Sequence, residues 1–112
     1  MPRLAPALAT LACLAAAPAF ADAIDGNWCS REGKMISIQG SQLTTPGGVR
    51  MLGDYDRHHF HYVVPPAEPG AGQEVFMTLM GEYLVHLRQG ANVQAARDAP
   101  VQEWRRCAPA TS

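Results

Sequence analysis

The sequence predicts an all-β fold, a small antiparallel meander of about seven strands that forms a barrel or a sandwich. Short segments rich in β-branched and aromatic residues recur along the chain. Turn residues, mainly glycine, proline and aspartate, separate these segments at regular spacing. Two cysteines, Cys29 and Cys107, lie near the two ends of the series. These features indicate consecutive hairpins whose first and last strands meet, with one disulfide across the closure.

Residues 1–21 are expected to be a cleaved secretory signal peptide. Arg3 precedes an apolar, alanine-rich run, and residues 19–21 (Ala-Phe-Ala) have the small-x-small pattern of a cleavage site. The apolar run is too short for a membrane span with ordinary flanks. Cleavage is expected after Ala21, with Ala23 as a second choice, so that residues 22–112 form a single all-β domain.

Cys13 raises the alternative that the chain is a lipoprotein, because bacterial lipoproteins are cut before a cysteine that follows a short Leu-x-small pattern. Here Leu11 lies one place late for that pattern, and the apolar run before Cys13 is very short. Signal cleavage without lipidation is therefore the expectation. It places the chain in the periplasm or outside the cell, with no transmembrane segment after cleavage.

The charge of the chain argues against nucleic acid as a partner. The full sequence has nine Lys plus Arg and ten Asp plus Glu. Loss of Arg3 with the leader leaves eight basic and ten acidic residues, a formal charge of −2. Such a balance provides no basic field for nucleic acid. The expected partner is an envelope protein or a small ligand.

Cys29 and Cys107 are predicted to form a disulfide. Neither has a Cys-x-x-Cys neighbour that would indicate a metal site, and an exported chain permits oxidation. The chain-entropy model gives a loop of this length a stabilisation of about 4–5 kcal/mol. Trp28 and Trp104 lie close to the two cysteines in sequence, and both indoles are expected to pack around the bond.

The clearest strand signal lies in residues 54–66, which contain three of the four histidines. Side chains of a strand alternate between its two faces, so the sequence divides into two sets. The predicted inner set is His58, Phe60, Tyr62 and Val64. The predicted outer set is Arg57, His59, His61 and Val63. Pro65 and Pro66 end the strand, because proline cannot donate to the ladder.

Residues 75–80 and 83–87 predict a hairpin with its turn at Gly81-Glu82. A helix over residues 74–88 is disfavoured, because a glycine in its interior would cost about 1 kcal/mol. A two-residue turn pairs Phe76 with Leu87 on an apolar face. It pairs Met77 with His86 on the opposite, open face.

Metal binding is one hypothesis for the open face. A spacing of two residues places the His59 and His61 backbones about 6–7 Å apart, which allows both imidazoles to reach one ion. His86 and Met77 would supply further ligands from the second hairpin. Imidazole with thioether suits copper, whereas imidazole with a carboxylate such as that of Glu82 suits zinc. The alternative is that these residues form an ordinary solvated face without a cofactor.

No catalytic motif is present. The sequence lacks Gly-x-Ser-x-Gly, a phosphate-binding glycine loop and His-Glu-x-x-His. The carboxylates are scattered in turns, apart from Asp54 and Asp56 beside the histidines. We therefore expect a protein that is not an enzyme. Its candidate binding regions are the face formed by Arg57, His59, His61 and His86, and the loop of residues 65–73.

Two similar patterns lie near the two ends of the predicted mature chain, Gly26-x-Trp28-Cys29 and Trp104-x-Arg106-Cys107. These two ends resemble those of small exported bacterial proteins of unassigned function. The leader, the single disulfide, the predicted barrel and the long loop of residues 65–73 together resemble, in architecture, small exported bacterial β-barrel proteins, a group that includes lipocalin-like ligand carriers and periplasmic inhibitors of lysozyme or proteases. The resemblance implies a binding or interaction protein of the envelope, or an inhibitor of an envelope hydrolase. It assigns no functional residues, because no inhibitor loop matches this sequence.

Overall fold

The computed structural model describes residues 23–108, so the predicted signal peptide and Cys13 lie outside the described residues. Within this range the chain forms nine strands and one short helix. Their bounds are β1 Gly26–Cys29, β2 Met35–Gln39, β3 Gln42–Thr44, β4 Arg50–Leu52, β5 Asp54–Asp56, β6 His59–Val63, β7 Glu74–Gly81, β8 Leu84–Gly90, α1 Val93–Asp98 and β9 Gln102–Arg106. Among the described residues no helix has the length and hydropathy needed to cross a membrane.

The nine strands form one antiparallel sheet in the order β4-β3-β2-β1-β9-β8-β7-β6-β5. The sheet curls into a nearly closed barrel, which confirms the predicted fold class. The first and last strands pair as predicted, with Trp28 opposite Arg106. The open seam lies instead between β4 and β5, which are joined directly through Gly53. This residue must be small, since a Cβ there would meet the Phe60 ring and lie 2.8 Å from the carbonyl oxygen of His61.

The strand count exceeds the predicted seven partly because residues 54–64 fold as two strands. Asp56 accepts a hydrogen bond from the backbone N–H of His58 at 2.8 Å, and this reverses the chain at Arg57 and His58. Asp56 therefore pairs with His59 across a tight hairpin. The prediction that Arg57 lies beside His59 and His61 on the outer face of one strand was wrong, as was the placement of His58 on the inner face. Both residues are exposed in the turn.

The inward placement of the aromatic set on β6 is confirmed. Phe60, Tyr62 and the following Val64 are buried, whereas His59 is exposed. They belong to a single core that fills the barrel interior. Its other members are Ile24, Trp28, Ile36, Ile38, Leu43, Val75, Met77, Val85, Leu87 and Trp104.

The register of the β7–β8 hairpin differs by one residue from the prediction. Phe76 lies opposite Arg88, and Met77 lies opposite Leu87. A bulge between Leu79 and Gly81 moves the turn one residue along, and a shift of one residue exchanges the two faces of a strand. Met77 is therefore 1% exposed and packs in the core, and its predicted pairing with His86 was wrong.

The predicted disulfide between Cys29 and Cys107 is present, with a Cα–Cα distance of 5.1 Å. It crosses the junction of β1 and β9, where only two residue pairs are in register. One further backbone hydrogen bond, from Cys107 N to Asn27 O at 2.9 Å, supports this junction. Trp28 and Trp104 are both buried in the core of the barrel, and their packing around the bond stays a prediction.

Two carboxylates bridge the open seam in place of a β-ladder. Asp25 accepts from the backbone N–H of Gly40 at 2.8 Å and from the hydroxyl of Tyr55. This contact joins the β2–β3 turn to β5. Glu68, in the loop after β6, accepts from the hydroxyl of Thr45, which is 2% exposed and follows β3. Side chains thus hold the barrel together where its strands do not pair.

The loop of residues 65–73 is part of this closure. Its ends are tied by hydrogen bonds between Val64 and Gln73 (2.9 Å) and between Gly72 and Val64 (2.9 Å). Burial raises the pKa of the neighbouring Tyr62 to about 12, and the charge of Glu68 adds to this effect. These contacts give the loop a structural role in addition to its position on the surface.

Candidate functional site

The outer surface of β5 to β8 collects most of the ionisable side chains that the sequence singled out. We call it the histidine face. The strand register aligns the side chains of this face in rows across the strands. In one row His59 lies opposite Thr78, and Thr78 lies opposite His86. A second row places His61 opposite Phe76, which lies opposite Arg88. The face consists of Asp54, Asp56, His59, His61, Glu74, Phe76, Thr78, His86 and Arg88.

His61 lies between two carboxylates from different strands. Its Nδ1 is 3.0 Å from Asp54 on β5, and its Nε2 is 2.5 Å from Glu74 on β7. The ring stacks on Phe76, with 4.4 Å between ring centroids. Partial burial alone would lower the pKa of His61, but the hydrogen bonds and charges of Asp54 and Glu74 outweigh it and raise the pKa. A protonated His61 therefore links the edge strand β5 to β7.

Stability should depend on pH through this group. Because the pKa of His61 is higher in the folded than in the unfolded protein, its contribution is fully present below about pH 6.5, the ordinary value. The contribution is lost as pH rises through the folded pKa. We expect His61→Gln to lower the free energy of unfolding more at pH 5.5 than at pH 8, measured by urea denaturation. The same comparison in a Glu74→Gln background should show a smaller difference between the two pH values; an equal one would remove Glu74 from the explanation.

The other two histidines of the face each contact one carboxylate. His59 Nδ1 lies 3.2 Å from Asp56, and both side chains are more than half exposed. His86 Nε2 lies 4.0 Å from Glu103 of β9. Each histidine on this face is thus paired with an acidic neighbour, which reduces its freedom to take another ligand.

The structure brings together only part of the predicted metal set. His59, His61 and His86 share the outer face, whereas Met77 is inside the barrel and offers no thioether to them. The two carboxylates at His61 contact different ring nitrogens and do not converge on one point. No group of three or more His, Cys, Asp or Glu able to hold a metal ion is found within residues 23–108.

Two adjoining clefts lie along the histidine face. The first, which we call the acidic cleft, has a volume of about 240 Å³, and its lining includes Asp54, Asp56, His59 and His61. The second, the arginine cleft, has a volume of about 330 Å³ and is lined by Phe76, Thr78, Met80, His86, Arg88 and Arg97. Phe76 and Thr78 line both, so the clefts form one continuous surface. A further cleft of about 600 Å³ lies over β2 to β4 and is lined largely by uncharged polar side chains.

Four residues of this surface were not among the predicted site residues: Glu74, Phe76, Arg88 and Arg97. Phe76 was assigned to the inner face through the wrong hairpin register. One signal was available, because the Val75, Met77 and Leu79 set contains no polar residue, whereas the Phe76 set contains Thr78. An inward position favours the set without the hydroxyl.

Comparisons with protein families, with curated proteins and with solved structures found no match to this chain.

Proposed function

We propose that this protein is a non-enzymatic binding protein of the bacterial cell envelope that docks a partner on the histidine face. One observation carries the proposal. Two adjoining clefts run across β5 to β8, with acidic side chains at one end, arginines at the other and Phe76 between them. The barrel interior is filled by side chains of the core, so the outer surface is the better place for a ligand.

A surface with charges of both signs around a half-buried aromatic side chain is suited to a polypeptide partner. Aromatic and arginine side chains contribute most of the binding energy in protein interfaces. Phe76 is half-buried, faces outward and stacks with His61. The other side chains are polar, and hydrogen bonds fix His61 and Arg88, which lowers the entropy lost on docking.

The test is capture from envelope extract with a matched pair of variants. Thr78→Arg places a long charged side chain at the centre of the face, between His59 and His86. Thr44→Arg makes the same change on the outer surface of β3, where Thr44 pairs with Arg50 and Ser37. We expect a specific partner whose recovery falls at least tenfold with Thr78→Arg and stays unchanged with Thr44→Arg, measured by quantitative mass spectrometry.

Several outcomes would contradict the proposal. Recovery of nothing above a blank column, or equal recovery with both variants, removes the histidine face as a docking site. A partner recovered only after addition of zinc or copper supports the metal alternative at His59 and His61 instead. A captured hydrolase whose activity falls in the complex identifies the inhibitor alternative.

A further inference from the structure

The arginine cleft combines positive charge with an apolar floor. Its lining includes Arg88, Arg97 and His86 but no carboxylate. Phe76 and Met80 supply the apolar surface, and the side chain of Met80 is half exposed. A ligand that matches both features carries an anion next to a large apolar group.

The two arginines come from different elements that are held together. Arg88 on β8 donates from Nη1 to the backbone carbonyl of Arg97 at 2.8 Å, which fixes its direction at the end of α1. The helix itself lies very close to β8, because a Cβ on Gly90 would lie 2.8 Å from Cα of Ala96. Ala96 is fully buried. The cleft is therefore preformed, and the guanidinium of Arg88 retains further donors for an anion.

We propose that the arginine cleft binds the C-terminal carboxylate of a partner polypeptide whose last residue has a large apolar side chain. This inference rests on the proposed function and names the part of the partner that docks. A guanidinium recognises a carboxylate through two parallel hydrogen bonds, which a neutral amide cannot form. The apolar side chain of the last residue packs on Phe76 and Met80.

The neighbouring cleft favours a polypeptide over a fatty acid. The apolar floor lies on β7. The next strand, β6, carries His59 and His61. Beyond it, β5 carries Asp54 and Asp56, and both carboxylates are largely exposed. A long acyl chain would leave its tail on these charged groups, whereas a peptide gains hydrogen bonds there.

The distance between the arginines and the two aspartates predicts where the bound peptide carries a basic residue. β5 and β8 are separated by three strand spacings, about 14 Å. An extended peptide that crosses the strands rises about 3.3 Å per residue. A lysine or arginine about four residues before the C-terminus would therefore reach Asp54 and Asp56.

The test uses an acetylated pentapeptide, lysine-serine-alanine-serine-phenylalanine, with a free C-terminal carboxylate. The probe is compared with the same peptide ending in an amide, by calorimetry and by ¹⁵N chemical-shift titration. We expect the carboxylate form to bind at least tenfold more tightly, with the largest shifts at Phe76 and Thr78. Arg88→Gln should reduce its affinity about tenfold, whereas Arg105→Gln, at an exposed position of β9, should leave it unchanged. Both variants are first checked for unchanged thermal unfolding.

The results separate this inference from the proposed function. Equal affinity for carboxylate and amide, no binding of either peptide, or tighter binding of laurate overturns the C-terminal inference. If Thr78→Arg still abolishes capture of the envelope partner in that case, the histidine face remains a docking site for a different part of the partner. If the peptide does not bind and Thr78→Arg does not reduce capture, both proposals fail.

Discussion

Replacement of both Cys29 and Cys107 with serine is expected to lower the free energy of unfolding by about 4 kcal/mol. The bond joins residues 78 positions apart, so it restricts nearly the whole domain in the unfolded state. Its loss raises the conformational entropy of the unfolded chain. It also crosses the β1–β9 junction, which has only two residue pairs in register. Domains of this size have a total stability of roughly 5–10 kcal/mol. The variant should therefore be close to its unfolding transition at 37 °C.

Urea denaturation at 25 °C measures this effect, with reduced wild-type protein as the matched control. The reduced wild type and the double serine variant should unfold at the same urea concentration, because both lack only the covalent bond. Hydrogen exchange adds a local readout. The amide of Cys107, bonded to Asn27 O at 2.9 Å, should lose more protection than the amides of β7 and β8. A loss of stability below about 1 kcal/mol would show that the strand pairing closes the barrel without the bond.

Much of the barrel could be predicted because its elements follow from local chemistry. The hairpin between β2 and β3 is set by Gly40, whose φ of +58° suits the first position of a tight two-residue turn. Ile36 and Ile38 alternate with polar residues, and this places them in the core. The two cysteines at the chain ends then identified which strands meet.

The register of β7 and β8 could not be read from the turn residues alone. Gly81 and Glu82 look like a two-residue turn, but the bulge at this end of the hairpin adds a residue. Both alternating sets of β7 are largely apolar, so the pattern discriminates weakly between the two faces. One misplaced residue at the turn was enough to move Met77 from the core to the predicted metal site.

Only part of the candidate site could be predicted, because its contacts join strands that are distant in sequence. Alternation along one strand correctly placed His59 and His61 on one face. It gives no information on which side chains of other strands lie opposite. The pairing of His61 with Glu74 depends on the β6–β7 register, and the contact of Arg88 with Arg97 depends on how α1 packs. Such contacts between distant segments require the full sheet order.

Arg106 holds three segments of the barrel together, and its replacement is the second large effect we expect. Its guanidinium donates to the backbone carbonyls of Glu82 (2.7 Å), Asp25 (2.7 Å) and Ala23 (3.2 Å). It also lies 4.3 Å from the ring centroid of Trp28, which it covers. One side chain thus joins the β7–β8 turn, the segment before β1 and the core.

Arg106→Ala should therefore lower the free energy of unfolding by about 3 kcal/mol. The change removes three charge-assisted hydrogen bonds and a cation–π contact, and it leaves partly buried carbonyls without a donor. Arg106→Lys should recover part of the loss, because one ammonium group cannot reach all three carbonyls. Urea denaturation followed by tryptophan fluorescence measures both variants.

Arg105→Ala is the matched control, since Arg105 precedes Arg106 on β9 but its side chain is exposed, and the polar partner of its guanidinium in the part of the chain described is Glu103 at 3.4 Å. Its effect should remain within about 0.5 kcal/mol. Arg106→Ala should also increase hydrogen exchange at Gly40, whose amide is bonded to Asp25. Loss of the Asp25 anchor would loosen the seam between β4 and β5, next to the histidine face. Equal stabilities of Arg105→Ala and Arg106→Ala would mean that the segment before β1 is held without Arg106, by its buried apolar residues and its other hydrogen bonds.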